Sequence, residues 1–211
     1  MFLDKTFLEQ SKMKTLSKIR TTQQGFSLPE IVVVLLVIAI LIVLALPQII
    51  SSRRLLRFTG MQRQVASSLV DARQSAMSQR TTITFRYDNG AKRAIFYGGS
   101  FGAVGDAKNK VVELSGSGVD PSEIIYGRPS GVTTSALADT SNLTALASNV
   151  VDITFQSDGS VIDAGNNPTN NALFFYNNKY ARDSAFAISI LGAGGRVKVW
   201  HYNQAMDVYV E

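Results

Sequence analysis

The sequence predicts an α+β protein in which a long N-terminal membrane-anchoring helix packs on a β-rich globular head of two antiparallel sheets. Three observations lead to this prediction. Residues 31–46 form a run without a polar side chain, close to the length of a membrane-spanning helix. An amphipathic helical pattern follows this run. From residue 81 onwards the pattern changes to alternating, β-branched residues separated by turn sequences.

The composition of the 211-residue chain excludes several classes of function. It contains no cysteine, which excludes disulfides, iron–sulfur clusters, thiolate zinc sites and a cysteine nucleophile. The single histidine, His201, would have to serve alone in Ser-His-Asp catalysis or in a histidine metal site, so we interpret it as a surface residue near the end of a strand. Carboxylates are scattered, without a calcium-binding run. We therefore expect no enzymatic activity, no cofactor and no metal site.

The first 25 residues carry most of the positive charge. Five lysines and arginines stand there against two acidic residues, which accounts for +3 of the net charge of +5. A basic segment before an apolar helix stays in the cytoplasm by the positive-inside rule, so the rest of the chain is expected across the membrane. Because the basicity is concentrated in this tail, it is poor evidence for nucleic-acid binding by the whole protein.

The apolar helix admits three interpretations. A cleaved secretory signal peptide would need a small-residue cleavage site after the run, and Ala45-Leu46-Pro47 matches that pattern poorly. A plain uncleaved anchor explains the hydrophobicity but leaves Gly25 and Glu30 unexplained. A carboxylate at the edge of an apolar segment is costly unless something neutralises it, which makes Glu30 a candidate functional residue. The third interpretation is a processed anchor.

The motif "GFSLPE" followed by an apolar helix resembles the class III signal of type IV pilins and type II secretion pseudopilins. The resemblance implies that a prepilin peptidase cleaves between Gly25 and Phe26 and methylates Phe26, the new N-terminal residue. It also implies that Glu30, the fifth residue after the cut, meets the terminal amine of a neighbouring subunit and sets the register of a filament. Pro47 stands where many type IV pilins have a helix-bending proline, although it also fits a simple membrane exit. Pro29 replaces the usual aliphatic residue and is tolerable in a first helical turn.

After Pro47 a helix is expected to continue, so that one helix runs from about Leu28 to Gln79. We divide the chain into a cleaved leader (1–25), a helix (26–80) whose first part (26–46) is transmembrane, and a head (81–211). The second part of the helix (47–80) is amphipathic. Its apolar stripe recurs every three or four residues and consists of Leu55, Phe58, Met61, Val65, Leu69, Ala72 and Ala76. Its other faces carry arginines, of which Arg53, Arg54 and Arg57 fit either lipid headgroups or a solvated surface.

The head is expected to contain about eight strands. A hairpin is indicated by the turn Asp88-Asn89-Gly90, a second turn by residues 157–160, and a third by "GAGG" at 192–195. Residues 127–149 lack periodicity and are interpreted as a loop. The strand segments are "TTITFRY", "AIFY", "KVVEL", "EIIY", "VVDITF", a short return near Val161, "ALFFY", "AFAISIL", "RVKVWHY" and "MDVYV".

Three segments sharpen the resemblance: "VASSLVDARQSAMSQRTTITF", "ITFQSDGSV" and "AISILGAGGRVKVW". Together they resemble the GspH/FimT domain of minor pseudopilins and related minor pilins. A major type IVa pilin often closes its C-terminal loop with a disulfide, which this chain cannot form. The resemblance therefore implies a minor subunit, at or near the tip of a type II secretion pseudopilus or a type IV pilus. Its implied partners are other pilin or pseudopilin subunits, the prepilin peptidase and the inner-membrane assembly platform.

One strand carries a candidate binding motif, "GRVKVW". On a strand, Arg196, Lys198 and Trp200 share one face, and two cations with an aromatic ring fit phosphate binding and base stacking. The motif resembles the Gly-Arg-x-Arg motif of DNA-binding competence pilins, carried here by Gly195, Arg196 and Lys198. Lysine at the second basic position keeps the charge but loses the planar fork. The alternative is an ordinary solvated strand face with the Trp200 ring packed at its edge.

Three hypotheses about function therefore remain. The first is a single-pass inner-membrane subunit with a cytoplasmic N-terminus and a periplasmic head, which enters a filament and acts in assembly initiation and protein secretion. The second is a DNA-binding minor pilin that serves natural transformation. An unprocessed membrane protein with one span is the remaining alternative, and the absence of cleavage at Gly25 would identify it.

Overall fold

The computed structural model describes residues 26–98, 110–114, 118–133 and 136–211. Helix α1 spans Leu28–Gln79, which coincides with the span expected from the sequence. The chain divides into two compact units, Met1–Pro47 and Gln48–Glu211. The predicted leader (1–25) lies outside the described residues. The α+β fold class is confirmed, because a head of two antiparallel sheets follows the helix.

The head contains ten strands within the described ranges, so the expected number of about eight was too low. Each segment predicted to be a strand does contain one, and the difference arises because even the two-residue and three-residue segments find a partner to pair with. The strands are β1 (Ile83–Asp88), β2 (Arg93–Gly98), β3 (Lys110–Glu113), β4 (Ile124–Tyr126), β5 (Val150–Phe155), β6 (Val161–Ile162), β7 (Asn171–Asn177), β8 (Phe186–Ile190), β9 (Val197–Asn203) and β10 (Val208–Val210).

The strands form two separate five-stranded sheets. The first has the order β3-β2-β1-β5-β6, and the second has the order β10-β9-β8-β7-β4. All named pairings are antiparallel. The central pairing of the first sheet joins distant parts of the chain, with Ile83 opposite Phe155. The second sheet is a meander from β7 to β10, to which β4 is added beside β7.

The main core lies between the C-terminal part of α1 and one face of each sheet. Six of the seven residues in the predicted apolar stripe are buried, and Leu55 is half-buried. Phe58 of α1 meets the Phe186 ring of β8 edge-on, with 5.4 Å between ring centroids. Valine and isoleucine side chains from both sheets pack around the same helix face. Burial of this stripe holds the C-terminal part of α1 against the two sheets.

A second core covers the opposite face of the second sheet. Phe174 of β7, Trp200 of β9 and Tyr209 of β10 are buried there. The loop predicted over 127–149 provides the cover in its described parts, with Leu137 buried against the sheet. The loop is held by backbone contacts, including a hydrogen bond from the Thr144 amide to the Ala172 carbonyl at 2.9 Å. Both faces of this sheet are therefore occupied.

Candidate assembly and binding sites

The first site is the beginning of α1, where Glu30 lies in the first turn. The Ser27 amide donates to the Glu30 carboxylate at 3.4 Å, and the Glu30 amide donates to the Ser27 carbonyl at 3.0 Å. The Glu30 carboxylate thus reaches back to the amide before the first turn, as the glutamate of a capping box does, and both hydrogen bonds are made by the Ser27 backbone. Phe26 stands before this turn with 75% of its surface exposed. The contact between Ser27 and Glu30 was not predicted from the sequence. The signal that indicates it is the Ser-x-x-Glu spacing directly before the apolar run.

The segment that follows is strongly apolar and exposed. Residues Leu28–Leu46 have a mean hydropathy of 3.1, and none of this stretch is buried within the chain. By length and composition it is able to cross a membrane. Pro47 lies within the span of α1. Gly25, the residue before the predicted cut, lies outside the described residues.

The second site is the start of β9, and here the structure distinguishes between the two interpretations of Trp200. Trp200 does share a face with Arg196 and Lys198, but it is only 4% exposed because the loop of the second core covers it. Its indole N–H donates to the Ser189 hydroxyl at 2.8 Å, and that hydroxyl donates to the Asp139 carboxylate at 2.5 Å. An indole engaged in this way is not free to stack a base, so the structure agrees with the alternative interpretation, in which the Trp200 ring is packed.

The two cations of the motif differ in their surroundings. The Lys198 ammonium lies 2.5 Å from the Glu211 carboxylate and 5.1 Å from the centre of the Trp200 ring, and its side chain is 17% exposed. The Arg196 side chain is 68% exposed and lies 3.9 Å from the same carboxylate. An anionic ligand at this face would therefore meet Arg196 first and would compete with Glu211 for Lys198. Sequence reasoning missed Glu211, since it lies 13 residues beyond Lys198.

The glycine of the motif is required by packing. Gly195 has φ +56, and a Cβ atom placed on it would lie 1.9 Å from the Gly159 carbonyl oxygen. The Arg73 side chain of α1 hydrogen-bonds the same carbonyl at 3.3 Å. A second link joins the two turns at the edge of the sheets, from the Val161 amide to the Gly192 carbonyl at 2.8 Å. The "GAGG" turn therefore connects the second sheet to the first and to α1.

The remaining polar residues form no recognisable catalytic arrangement in the described residues. His201 is exposed on β9, as expected, and lies 3.3 Å from the Gln62 side-chain nitrogen. The Glu123 carboxylate accepts hydrogen bonds from the Lys179 ammonium at 2.6 Å and from the Asn177 side-chain NH₂ at 2.9 Å, and these bonds lower the pKa of its carboxyl group. Across the described ranges, no group of three or more potential metal ligands converges.

Comparison with known proteins gives one match to a family model and several similar folds. The prokaryotic N-terminal methylation motif matches residues 20–46, the stretch that contains the "GFSLPE" sequence, and cleavage between Gly25 and Phe26 stays a prediction. A search of curated proteins gives no match.

Two crystal forms of the type IV minor pilin FimU of Pseudomonas aeruginosa have folds similar to that of the chain. One has 17% identity and a TM-score of 0.44, with coverage of 67% of this chain and 87% of that chain. The other has 15% identity and a TM-score of 0.42, with coverage of 67% and 90%. The minor pseudopilin EpsH from the type 2 secretion system of Vibrio cholerae has 12% identity and a TM-score of 0.40, with coverage of 65% and 91%.

Proposed function

We propose that the chain is the precursor of a minor pilin or minor pseudopilin, of the type IV pilin and pseudopilin superfamily. The match of the prokaryotic N-terminal methylation motif to residues 20–46 supports this proposal. A prepilin peptidase cleaves it between Gly25 and Phe26 and methylates Phe26. The mature subunit sits in the inner membrane with its head in the periplasm. It then enters a type II secretion pseudopilus or a type IV pilus, at or near the tip.

The observation that supports this proposal most directly is the order of features at the N-terminus. The matched motif covers Glu30 and the apolar segment, and Glu30 lies in the first turn of α1. Cleavage before Phe26 would create a cationic amine near this carboxylate. In a filament the amine of one subunit and Glu30 of another attract each other in a medium of low dielectric constant, where such pairs are strong. The subunit thereby acquires an axial register during assembly.

The proposed role is structural. A minor subunit starts assembly by fitting against other pilin or pseudopilin subunits on the inner-membrane assembly platform. In a secretion system it helps to move folded substrate outward. The chain is the substrate of the peptidase and is not itself an enzyme.

The test is the intact mass and N-terminal sequence of the chain recovered from membranes, with and without a prepilin peptidase. We expect a protein beginning at methylated Phe26 only when the peptidase is present. Gly25→Arg is expected to stay full length, because a bulky residue at this position blocks the peptidase. Glu30→Gln is the matched control: it should be cleaved normally but should not enter filaments. A full-length wild-type protein in the presence of the peptidase would identify an unprocessed membrane protein instead.

A second candidate function is DNA binding at a pilus tip during natural transformation. The observation that favours it is the 68% exposure of the Arg196 side chain at the start of β9. Since Trp200 is buried, such binding would rest on phosphate contacts alone. Arg196→Ala is then expected to weaken DNA binding and to reduce its salt dependence by about one counterion. Unchanged affinity in Arg196→Ala would exclude this site.

A further inference from the structure

A group of three arginines follows the apolar segment of α1 without acidic partners. Its members are Arg53, Arg54 and Arg57. Between Glu30 and Asp71 the sequence of α1 contains no acidic residue, so the helix itself offers these cations no carboxylate over that stretch. Within the described ranges none of the three forms an ion pair with another part of the chain. Their positive charge is therefore available to a partner.

Two carboxylates lie near this group without pairing with it. Asp120 and Glu123 line a groove of about 190 Å³ together with Arg54 and Arg57. The Glu123 carboxylate is already bound by the Lys179 ammonium at 2.6 Å. The Asp120 carboxylate accepts a hydrogen bond from the amide two residues later, at 2.9 Å. Both carboxylates are thus engaged elsewhere, and the arginines keep their charge although acidic groups are close.

One face of α1 combines two of these cations with exposed apolar side chains. Arg53, Leu56 and Arg57 are three or four residues apart, so they share one face of the helix, which we call the basic face. Both arginines are exposed, and Leu56 is 71% exposed. Ile49, four residues before Arg53, is also exposed. Cations beside exposed apolar side chains are typical of helix surfaces at a membrane interface.

The two arginines of the basic face also repel each other. Arg53 and Arg57 are at positions i and i+4, where like charges destabilise a helix. An anion bound by both would remove this repulsion. The Arg57 guanidinium donates to the Gly118 carbonyl at 3.3 Å, and it retains further N–H donors, because a guanidinium group has five.

The chain keeps the basic face near the end of the apolar segment. Arg53 is seven residues after Leu46, and seven residues span at most about 25 Å in any conformation. The headgroup layer of a bilayer is roughly 5–7 Å thick, and the potential of an anionic surface extends about 8–10 Å beyond it. When Leu28–Leu46 is inserted in a membrane, the basic face is therefore within reach of the headgroups.

We propose that the basic face binds the phosphate groups of anionic phospholipids in the membrane that the apolar segment enters. The guanidinium groups of Arg53 and Arg57 form charge-assisted hydrogen bonds with phosphate oxygens, and Leu56 packs at the boundary with the acyl chains. An anionic headgroup is preferred to a zwitterionic one, because the latter also brings a cation near the arginines. The inference goes beyond the proposed filament role. It rests on the membrane anchor that the proposed function includes, and it requires neither cleavage nor entry into a filament.

The experiment uses the full chain in a non-ionic detergent, titrated with dioctanoyl phosphatidylglycerol or dioctanoyl phosphatidylcholine. Native mass spectrometry measures the affinity of each lipid. An arginine near an anionic surface strengthens binding about fivefold, so the double variant Arg53→Gln/Arg57→Gln should bind phosphatidylglycerol about 25-fold more weakly than the wild type. Its affinity for phosphatidylcholine should change less. Arg53→Lys/Arg57→Lys keeps both charges and should recover most of the binding, and no recovery would contradict a role for charge.

A second double variant controls for net charge. Arg63→Gln/Arg80→Gln removes two other exposed arginines, 17 and 34 residues after Leu46, and should bind phosphatidylglycerol like the wild type. The basic leader is the same in all of these proteins, so it contributes equally to each affinity. Equal weakening in the two double variants, or no weakening in Arg53→Gln/Arg57→Gln, would overturn the inference.

Two further observations identify other outcomes. Displacement of phosphatidylglycerol by millimolar inorganic phosphate would indicate a site for free phosphate and would overturn the assignment to lipid. A chain that stays in solution without detergent would contradict the membrane anchor, and with it both the proposed function and this inference. A chain that needs detergent but binds lipid equally in both double variants would contradict this inference alone.

Discussion

Replacement of Gly195 by alanine tests whether the "GAGG" turn is a structural connection. The added Cβ would lie 1.9 Å from the Gly159 carbonyl oxygen, far inside contact distance, and the backbone has φ +56. A side chain in the left-handed region costs about 1–2 kcal/mol. Relief of the overlap should cost a further 1–3 kcal/mol or so, as overpacking typically does. We therefore expect the free energy of unfolding to fall by about 2–5 kcal/mol.

The assay is urea unfolding of the full chain in a mild detergent, followed by tryptophan emission. Trp200 is the only tryptophan and is 4% exposed, so its emission reports on the head. If the free energy of unfolding falls by about 2 kcal/mol for each molar increase in urea, the unfolding midpoint of Gly195→Ala should lie roughly 1–2.5 M below that of the wild type. Gly194→Ala is the matched control, because a Cβ there meets nothing within 4 Å, and its midpoint should shift little. Equal shifts for the two variants would refute the reasoning, since only Gly195 contacts the neighbouring turn.

Three further predictions concern the cores and one ion pair. Val65→Ala in the main core should lower the free energy of unfolding by about 1–3 kcal/mol in urea titrations, whereas Val70→Ala on the exposed side of α1 should change it by less than about 0.5 kcal/mol. Ser189→Ala leaves the buried indole N–H without its acceptor and should cost about 1–3 kcal/mol in the same titration; no loss would mean that the indole has another partner. Hydrogen bonds lower the pKa of the Glu123 carboxyl group, so the stabilisation that this carboxylate contributes is present above its ordinary pKa and is lost as pH falls through the lowered value. Glu123→Gln should thus be less stable than the wild type at pH 7, and this difference should shrink below about pH 4; a difference independent of pH would contradict the role of the carboxylate.

Much of the fold is predictable from short-range patterns. The apolar stripe from Phe58 to Ala76 follows the helical period, and all of its members after Leu55 are buried. Strand β5, Val150–Phe155, matches its predicted segment because β-branched residues and flanking turns mark both ends. Such signals lie within a few residues of one another, and a single sequence contains them in full.

Long-range pairing accounts for most of what the sequence could not predict. Alternation along β9 correctly placed Trp200 on the face of Lys198, but it could not show that a loop covers that face. The cover comes from Leu137, in a segment without periodicity, and from Asp139, which reaches Trp200 through Ser189. Sheet order has the same limit, because nothing local links β1 to β5, more than sixty residues later.

Under the proposed filament role, the contact between Ser27 and Glu30 distinguishes a subunit in the membrane from one in a filament. Within a single chain the Glu30 carboxylate already has a donor, the Ser27 amide, at 3.4 Å. Capture of this carboxylate by the amine of another subunit would then be an exchange of partners, and its driving force would be the difference between a charged donor and a neutral one. In the proposed role, the Glu30 carboxylate of an unassembled subunit therefore keeps a hydrogen-bond donor of its own chain until another subunit's amine replaces it.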